Sequence, residues 1–329
     1  MLLLIALLLQ VTVQLTPAGS EEPMPVFSGP QRGMWVWHFQ TYSTQRERER
    51  LIEFCRSEKI TLLLVQVHYR LNPETDDPIA LRNPEAYGDL IEAARNVGIT
   101  VEALEGDPHW TLPSERNSWW VKFKVIMDWY DAQPLKRRFA GLHLDVEPYL
   151  LEDFDTTKKW EILRQYVEFM AQVREALKKR APELLFAADI PFWYDNVLQE
   201  DEFVNHNVVE FNGVKKPVSF HILDLCDYIG IMSYRRQAFG ENSITQLCKE
   251  ELAYAEKIGK KIFAGVEMSP DQDPPTISFY GTDVDFFRGQ INLVDSLFGH
   301  RKGFGGILIH YYNTYAAFLG EPLPEMAEG

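Results

Sequence analysis

Cysteine is scarce in this sequence, with three residues in a chain of 329. Three are too few for the disulfide framework that stabilises small secreted domains, and a chain of this length buries enough apolar surface without one. Cys55 falls in a helical pattern and is expected to be a buried thiol, whereas Cys226 and Cys248 could pair in an oxidising compartment. None of the three has a neighbouring histidine pattern that would mark a nucleophile.

Basic residues are also in short supply: 33 Lys and Arg stand against 48 Asp and Glu, a formal net charge of −15. A surface of this charge repels phosphate backbones and anionic lipids, so nucleic acid and membrane surfaces are not expected partners. A neutral or cationic partner fits better. Aromatic residues make up 13% of the chain and include eight tryptophans, which suits carbohydrate, because sugar rings stack their C–H faces on aromatic side chains.

One long apolar run is present, at the start of the chain. Residues 1–20 carry no charged side chain, and their apolar stretch of about twelve residues is shorter than the roughly 20 that span a bilayer. Ala18-Gly19-Ser20 supplies the small residues that a signal peptidase requires. We predict a signal peptide over 1–20, one domain over 21–329 and a secreted or periplasmic protein with no membrane anchor. A retained N-terminal anchor is the alternative, since the run has no basic residue before it.

After residue 32, eight short apolar runs alternate with amphipathic stretches of helical spacing. The runs cover 33–37, 60–69, 99–104, 139–146, 184–191, 228–234, 261–266 and 304–312, and the helical stretches include 45–58, 85–97, 119–133, 158–180, 243–259 and 284–300. This alternation predicts a parallel sheet covered by helices on both faces. Eight such units predict a (β/α)₈ TIM barrel. A doubly wound open sheet is the alternative, but the Gly-rich phosphate loop that usually follows its first strand is missing.

One stretch departs from this alternation. Residues 196–224, between the fifth and sixth predicted strands, show little helical pattern, and Asn212-Gly213 between two apolar runs predicts a β-hairpin. We expect a small β-insertion that forms a wall beside the barrel mouth. The tail, 320–329, is expected to fray.

The fourth predicted strand carries the clearest functional signal. Barrel enzymes place their active sites at the C-terminal ends of the strands, and side chains along a strand alternate in direction. His143, Asp145 and Glu147 therefore share one face, and the apolar positions 142, 144 and 146 share the other, which suits the surrounding helices. Carboxyl groups crowded inside the barrel raise each other's pKa, which produces an acid that can protonate a leaving oxygen. The alternative is an internal salt-bridge network with Arg70, Arg235 or a lysine.

Glu267 closes the seventh predicted strand, opposite the fourth. Ends of facing strands can bring two carboxyl groups to about 5–5.5 Å, the separation typical of retaining glycosidases. We therefore predict Glu147 as general acid/base, Glu267 as nucleophile and Asp145 as the group that tunes Glu147; the alternative for Glu267 is an exposed side chain or an arginine partner. The expected sugar-binding residues are Gln66, His68, His143, Tyr234, His310 and Tyr312, with Trp37, Trp110 and Trp193 as stacking platforms.

Three short motifs carry a family resemblance: Asp145-x-Glu147, Met232-x-Tyr234, and Gly305-Gly306-Ile307-Leu308-Ile309. Together they resemble the pattern of glycoside hydrolase family 18, whose barrels act on N-acetylglucosamine polymers. The resemblance implies Glu147 as the acid, with Asp145 and Tyr234 positioning a substrate N-acetyl group that serves as nucleophile. The chain departs from the family at four positions: Ala140 and His143 replace acids, Arg235 replaces an Asp, and His310 replaces a Trp.

The chain is also similar to the large group of retaining barrel glycosidases and to uncharacterised exported barrel proteins. The first similarity implies Glu147-Pro148 as the acid/base segment and Glu267 as nucleophile, although that group usually has Asn where this chain has Val146. No cofactor is predicted, and a monomer is expected.

Two other functions compete with a glycosidase. One is a carbohydrate-binding barrel without catalysis. The other is a metal-dependent hydrolase, in which His38, His68, His143 and His310 would converge with Asp145 on a zinc ion. Their spacings match no metal motif, so the sequence favours the carboxylate mechanism.

Overall fold

The computed structural model describes residues 29–196, 206–270 and 272–323. The predicted signal peptide and the last residues of the tail lie outside these ranges. The strands are β1 Gln31–Val36, β2 Leu62–Gln66, β3 Tyr69–Leu71, β4 Pro78–Leu81, β5 Thr100–Glu105, β6 Gly141–Leu144, β7 Leu185–Pro191, β8 Val208–Phe211, β9 Val214–Pro217, β10 Tyr228–Met232, β11 Lys261–Glu267 and β12 Phe304–His310. The helices are α1 Gln45–Ser57, α2 Pro84–Arg95, α3 Arg116–Ala132, α4 Lys159–Arg180, α5 Val218–Leu225, α6 Ile244–Leu247, α7 Lys249–Ile258, α8 Val284–Phe298 and α9 Tyr312–Phe318.

Eight of these strands form a closed parallel barrel in the order β1-β12-β11-β10-β7-β6-β5-β2. The first and last strands pair with each other, with Gly33 opposite Leu308. This closure confirms the predicted (β/α)₈ barrel and rules out the open sheet. The carboxyl ends of the eight strands therefore surround one opening, which we call the mouth.

Apolar side chains pack in two layers, as strand alternation requires. The barrel interior is a small cluster of Trp35, Leu62, Leu64, Leu104, Ala187, Tyr228, Phe263 and Leu308. The much larger layer between strands and helices includes Leu142, Leu144 and Val146 of the fourth barrel strand and its extension. The predicted outward direction of these three residues is thus confirmed, and it turns His143 inward.

Local signals define several helix ends. The Thr44 side chain accepts a hydrogen bond from the Glu47 N–H at the start of α1, and Asp283 does the same for Phe286 at the start of α8. Gly259 ends α7 in the left-handed conformation. No helix among the described residues has the length and apolarity of a membrane span.

The β-insertion is present as predicted, with Asn212 and Gly213 at φ 50° and 74° between β8 and β9. A cavity of about 570 Å³ is lined by residues of this hairpin and of α4, including Trp160 and Arg164, outside the mouth. Helix α5 and the β3–β4 hairpin were not predicted. All three cysteines are buried and free, so Cys226 and Cys248 do not pair.

Glycines in the barrel strands make room for polar side chains inside. A Cβ atom on Gly141 would lie 2.7 Å from the Glu102 carboxyl carbon, and one on Gly230 would lie 2.1 Å from Asp189 Oδ1. Each glycine sits directly opposite the acid on the neighbouring strand. Because these glycines have no side chain, they leave the space that the Glu102 and Asp189 carboxylates occupy inside the barrel.

Gly306 of β12 supports a prediction about barrel closure. Its φ is 140°, and an added Cβ would lie 2.0 Å from the carbonyl oxygen of Gln31 on β1. We expect Gly306→Ala to lower the free energy of unfolding by about 2–5 kcal/mol, because it combines backbone strain with a backbone clash. Urea unfolding followed by circular dichroism measures this change.

Gly289→Ala is the matched control. Gly289 lies in α8, is exposed, and has open space around its Cβ position. Alanine there should stabilise the protein by about 0.5–1 kcal/mol through helix propensity. Equal free energies of unfolding for the two variants would contradict a close approach of Gly306 to β1.

Candidate active site

A chain of buried polar groups crosses the barrel beneath the mouth. The Trp35 indole N–H donates to Asp189 Oδ2 over 2.9 Å, and His143 Nε2 lies 2.9 Å from the same oxygen. On its other side, His143 Nδ1 lies 3.1 Å from the Tyr228 hydroxyl, which donates to Glu102 Oε2 over 2.6 Å. The four residues that join His143 in this chain come from β1, β5, β7 and β10. We call the five residues the buried network.

The buried network fixes the charge of His143. Because the Tyr228 hydroxyl uses its hydrogen on Glu102, its oxygen accepts from Nδ1, so both ring nitrogens face acceptors and both carry hydrogen. Burial lowers the pKa of an imidazole, but the Asp189 and Glu102 carboxylates outweigh burial and raise the pKa of His143 to about 10. His143 is therefore a buried cation between two acids.

Asp145 and Glu147 lie above this network at the mouth. Burial, followed by the Asp189 and Glu147 carboxylates, raises the pKa of Asp145 well above its usual value. Burial and then Asp189 raise the pKa of Glu147 to about 7, and His310 opposes that rise. The Glu147 carboxyl is thus close enough to the interior residue Asp189 to be affected by its charge. Glu147 therefore meets the main requirement for a general acid, which is to hold its proton near neutral pH.

Glu267 has the opposite environment. Its Oε1 accepts the backbone N–H groups of Met268 and Ser269, over 2.8 and 2.6 Å, and its Oε2 lies 2.8 Å from His310 Nδ1. Burial raises the pKa of this carboxyl, but the hydrogen bonds from His310 and Ser269 outweigh burial, so the pKa lies below its usual value. Glu267 is held as a carboxylate.

The tautomer of His310 follows from its second partner. The Trp37 indole N–H lies 3.0 Å from His310 Nε2, and an indole can only donate. Nε2 therefore accepts, the ring hydrogen sits on Nδ1, and Nδ1 donates to Glu267. Register supports the pairing, because Glu267 and His310 are opposite each other on β11 and β12.

Several predicted sugar-binding residues gather around this carboxylate. The Tyr234 ring stacks near His310 with ring centres 6.0 Å apart, and His68 Nε2 lies 2.9 Å from the Trp37 carbonyl oxygen. Gln66 ends β2 half-buried, and its amide N–H donates to the Val67 carbonyl. Trp193 is half-buried at the end of β7, next to Tyr149. The structure thus brings Trp37, Gln66, His68, Tyr234 and His310 to the mouth, and Trp193 to the wall where β7 ends.

Three predicted sugar contacts lie elsewhere. His143 has no exposed surface, because it belongs to the buried network below the mouth. Trp110 is 1% exposed and packs on Trp119 and Phe169 in the outer layer, since the chain after β5 folds over α3 and α4. Tyr312 begins α9 and packs against Phe54 of α1. These three predictions need correction: none of the side chains faces the opening, and Tyr311 occupies the place expected for Tyr312, beside His310.

The salt-bridge alternative fails in the described part of the chain. There, no Lys or Arg forms an ion pair with Asp145, Glu147 or Glu267. Arg70 is exposed on β3. Arg235 bonds to the Tyr234 carbonyl and Asn242 and covers the Phe192 ring.

The zinc alternative lacks a ligand set within residues 29–196, 206–270 and 272–323. No group of three or more His, Cys, Asp or Glu side chains there is arranged to hold a metal ion. His143 bonds within the buried network, and His68 and His310 bond to the backbone and side chain of Trp37. The imidazole nitrogens in these contacts thus meet protein groups instead of a metal ion.

The sequence interpretation missed several residues of the site. No role is predicted from the sequence for Asp189, Trp35, Glu102 or Tyr228, all members of the buried network. Tyr149 was also missed, although its hydroxyl donates to Glu147 Oε1. Its position two residues after the acid, behind a proline, is a local signal that could have identified it.

The buried cation supports a prediction about pH-dependent stability. His143→Gln leaves Asp189 and Glu102 without their counter-charge, which should cost about 3–5 kcal/mol near pH 6. The pKa of His143 is raised on folding, so its contribution is complete below about pH 6.5 and disappears as pH rises through about 10. The stability difference between the natural protein and the variant should therefore shrink across that window.

Thermal unfolding of both proteins between pH 6 and 10 measures this difference. His300→Gln, at an exposed position after α8, is the control and should give a constant difference near zero. A gap for His143→Gln that stays constant or widens with pH would contradict a cationic His143.

Comparisons with known proteins agree with this architecture. The chain matches no model of a known protein family and no curated protein sequence. Among solved structures it is similar to a β-1,4-mannanase from the sea hare Aplysia kurodai, with 11% identity, 88% of each chain covered and a TM-score of 0.57. It is also similar to a β-mannanase from the blue mussel Mytilus edulis (12% identity, 89% and 90% covered, TM-score 0.54) and to the PgaB glycoside hydrolase domain from Bordetella bronchiseptica (12%, 88% and 95%, 0.52). At these identities the comparisons show the fold alone, a (β/α)₈ barrel.

Proposed function

We propose that this protein is a retaining glycoside hydrolase that cleaves an oligo- or polysaccharide. One observation carries the proposal: the carboxyl groups of Glu147, after β6, and Glu267, at the end of β11, have environments that separate their pKa values. The pKa of Glu147 is raised to about 7 and that of Glu267 is lowered. Pairs of acids separated in this way divide the roles of proton donor and charged partner.

Glu147 supplies the proton in the first step. Its proton moves to the glycosidic oxygen as the bond between that oxygen and the anomeric carbon breaks. The leaving sugar departs with a free hydroxyl group. Asp189 favours the protonated state because its negative charge disfavours a second one nearby. The transfer returns Glu147 to a carboxylate that can act as a base.

Glu267 supplies the electron pair that forms the new bond to the anomeric carbon. The two backbone N–H groups and His310 keep it ionised and fix its orientation, and Oε2 retains a lone pair beyond the one used by His310. In the second step Glu147 removes a proton from water, the water oxygen bonds to the anomeric carbon, and Glu267 leaves as a carboxylate.

The charges at the mouth favour a neutral sugar. Asp145, Glu147 and Glu267 have no Lys or Arg partner in the described regions, so a uronic acid would add an unbalanced negative charge. The indoles of Trp37 and Trp193 offer apolar contact to a pyranose ring. The similar mannanases are named for a neutral polysaccharide, and the similar PgaB domain is named as a glycoside hydrolase.

The resemblance to glycoside hydrolase family 18 suggests a variant of this mechanism. In that variant a substrate acetamido oxygen, positioned by Asp145 and Tyr234, replaces Glu267 as nucleophile. Within the described regions, Asp145 Oδ1 is buried and has no hydrogen-bond partner, which leaves it able to pair with an acetamido group. We propose the Glu267 route as the first candidate, since Glu267 is held as a carboxylate by three donors.

Substitution of the two acids tests the proposal. Glu147→Gln and Glu267→Gln should each lower kcat by about 10²–10⁴-fold while sugar affinity stays within a few-fold, because each removes a group that acts in the transition state. Glu152→Gln, at an exposed position five residues after Glu147, is the matched control and should retain full activity. The measurement is initial rate on chromogenic glycosides and on neutral polysaccharides, with polygalacturonate as the anionic comparison.

Two results would contradict the proposal. If both Gln variants hydrolyse as fast as the natural protein, the carboxylates are not catalytic. If the natural protein binds sugars and hydrolyses none of them, it is a carbohydrate-binding barrel.

Product stereochemistry tests the role of Glu267. We expect the first sugar released to have the same anomeric configuration as the substrate, as two successive displacements require. Proton NMR recorded during the first minutes of hydrolysis distinguishes the anomers before mutarotation. An inverted product would remove Glu267 as nucleophile.

Retention has two explanations, which azide distinguishes. With Glu267→Gly and an activated substrate, azide should restore turnover and form a glycosyl azide of inverted configuration, because it enters the space left by the carboxylate. Retention without azide rescue, limited to N-acetylated substrates, would favour the acetamido route.

A further inference from the structure

The segment after Glu147 folds the chain back over the acid. Pro148–Leu150 forms a single 3₁₀ turn, with hydrogen bonds from Leu150 N–H to the Glu147 carbonyl (2.9 Å) and from Leu151 N–H to the Pro148 carbonyl (3.2 Å). Proline at the first position restricts φ and favours this turn. The turn returns the Tyr149 side chain to the carboxyl of Glu147, two residues earlier.

Tyr149 contacts the acid directly. Its hydroxyl donates to Oε1 of Glu147, and its oxygen lies 4.0 Å from the Met232 sulfur at the end of β10. The ring packs edge-to-face on Trp193, with ring centres 5.6 Å apart at 64°. Trp193 is itself held by Tyr194, with centres 4.8 Å apart, and by Phe154. Tyr149 is thus fixed by an aromatic cluster at the end of β7.

We propose that Tyr149 is a positioning residue that assigns the transferable proton of Glu147 to Oε2. The proposal rests on the proposed function of Glu147. A carboxylic acid has one O–H and one C=O oxygen, and a hydroxyl that donates to Oε1 selects Oε1 as the C=O oxygen. The proton then occupies Oε2, and the rotamer of the acid is fixed without a contact from the substrate.

The same hydrogen bond opposes the effect that burial and nearby negative charge have on the pKa of Glu147. A donor to a carboxylate favours the ionised form, whereas burial and nearby negative charge favour the neutral form. The titratable groups that face Glu147 are Asp145 on its own segment, Tyr166 on α4, Asp189 on β7, Tyr194 after β7, Tyr234 after β10 and His310 on β12. Tyr149 therefore limits how far burial and Asp189 raise the proton affinity of Glu147, so that the acid can also release its proton.

Tyr149→Phe tests this role, because it removes the hydroxyl and keeps the ring that packs on Trp193. The carboxyl band of Glu147, obtained as the infrared difference between each protein and its Glu147→Gln version, is titrated from pH 4 to 10. We expect the midpoint to move to higher pH in Tyr149→Phe. On the substrate found by screening, kcat should fall by about 10- to 100-fold with KM within about threefold, as expected for a misplaced acid. The alkaline limb of the pH–rate profile should move in the same direction as the midpoint of the Glu147 titration.

Tyr280→Phe is the matched control, since Tyr280 is a half-exposed tyrosine in the loop after β11. It should change neither the titration nor kcat. An unmoved Glu147 midpoint together with an unchanged kcat in Tyr149→Phe would overturn the proposal. Equal thermal unfolding of the natural protein and Tyr149→Phe shows that any effect is local.

The two measurements separate this proposal from the proposed function. If Glu147→Gln abolishes hydrolysis and Tyr149→Phe leaves both rate and titration unchanged, the hydrolase stands and the positioning role fails. If the natural protein hydrolyses no substrate, the proposed function fails. In that case the infrared titration still decides whether Tyr149 controls the proton of Glu147.

Discussion

The contact between His143 and Asp189 is the interaction on which the rest of the site depends. It places a positive charge in the barrel interior, where an isolated charge would be very costly, and balances it against acids from two other strands. Glycines at 141 and 230 provide the space that these acids need. Asp189 in turn presents a fixed negative charge to the mouth, and this charge, together with burial, keeps a proton on Asp145 and Glu147. The proton affinities of the two acids at the mouth therefore depend on the buried network beneath them.

The two glutamates at the mouth behave differently because their neighbours differ. Glu267 meets three hydrogen-bond donors, and Glu147 meets one donor and a nearby carboxylate. His310 adds to this contrast, since its Nδ1 donates a hydrogen bond to Glu267. The protein thus separates the proton affinities of two identical side chains through hydrogen bonds and one buried acid, with no lysine or arginine next to either in the described regions.

Much of this arrangement could be predicted from the sequence, because a barrel imposes strong periodicity. The alternation of residues 142–146 identified which side chains point inward, and strand ends located Glu147, Glu267 and His310. Alternation says nothing about depth, so His143 was placed at the mouth instead of below it. It also loses meaning where the chain leaves a strand, which is why Trp110 and Tyr312 were assigned to the opening although turns carry them into the outer layer. Partners such as Tyr228 and Glu102 come from distant strands, and a single sequence gives no signal that pairs them. Helix α5 was missed because its short apolar run, Val218–Leu225, lacks a clear helical spacing.

The pairing of β1 with β12 has a consequence for the order in which the site is assembled. Glu147 and Tyr149 are neighbours along the chain, so the acid and its hydroxyl partner come together by local folding. Glu267 depends on His310 from the last strand, and His310 depends on Trp37, which directly follows the first. Met268 and Ser269 contact Glu267 locally, but the carboxylate half of the site is complete only once the two extremes of the barrel have met. A barrel that failed to close would lack the His310 contact to Glu267, so hydrolytic competence would report on complete folding.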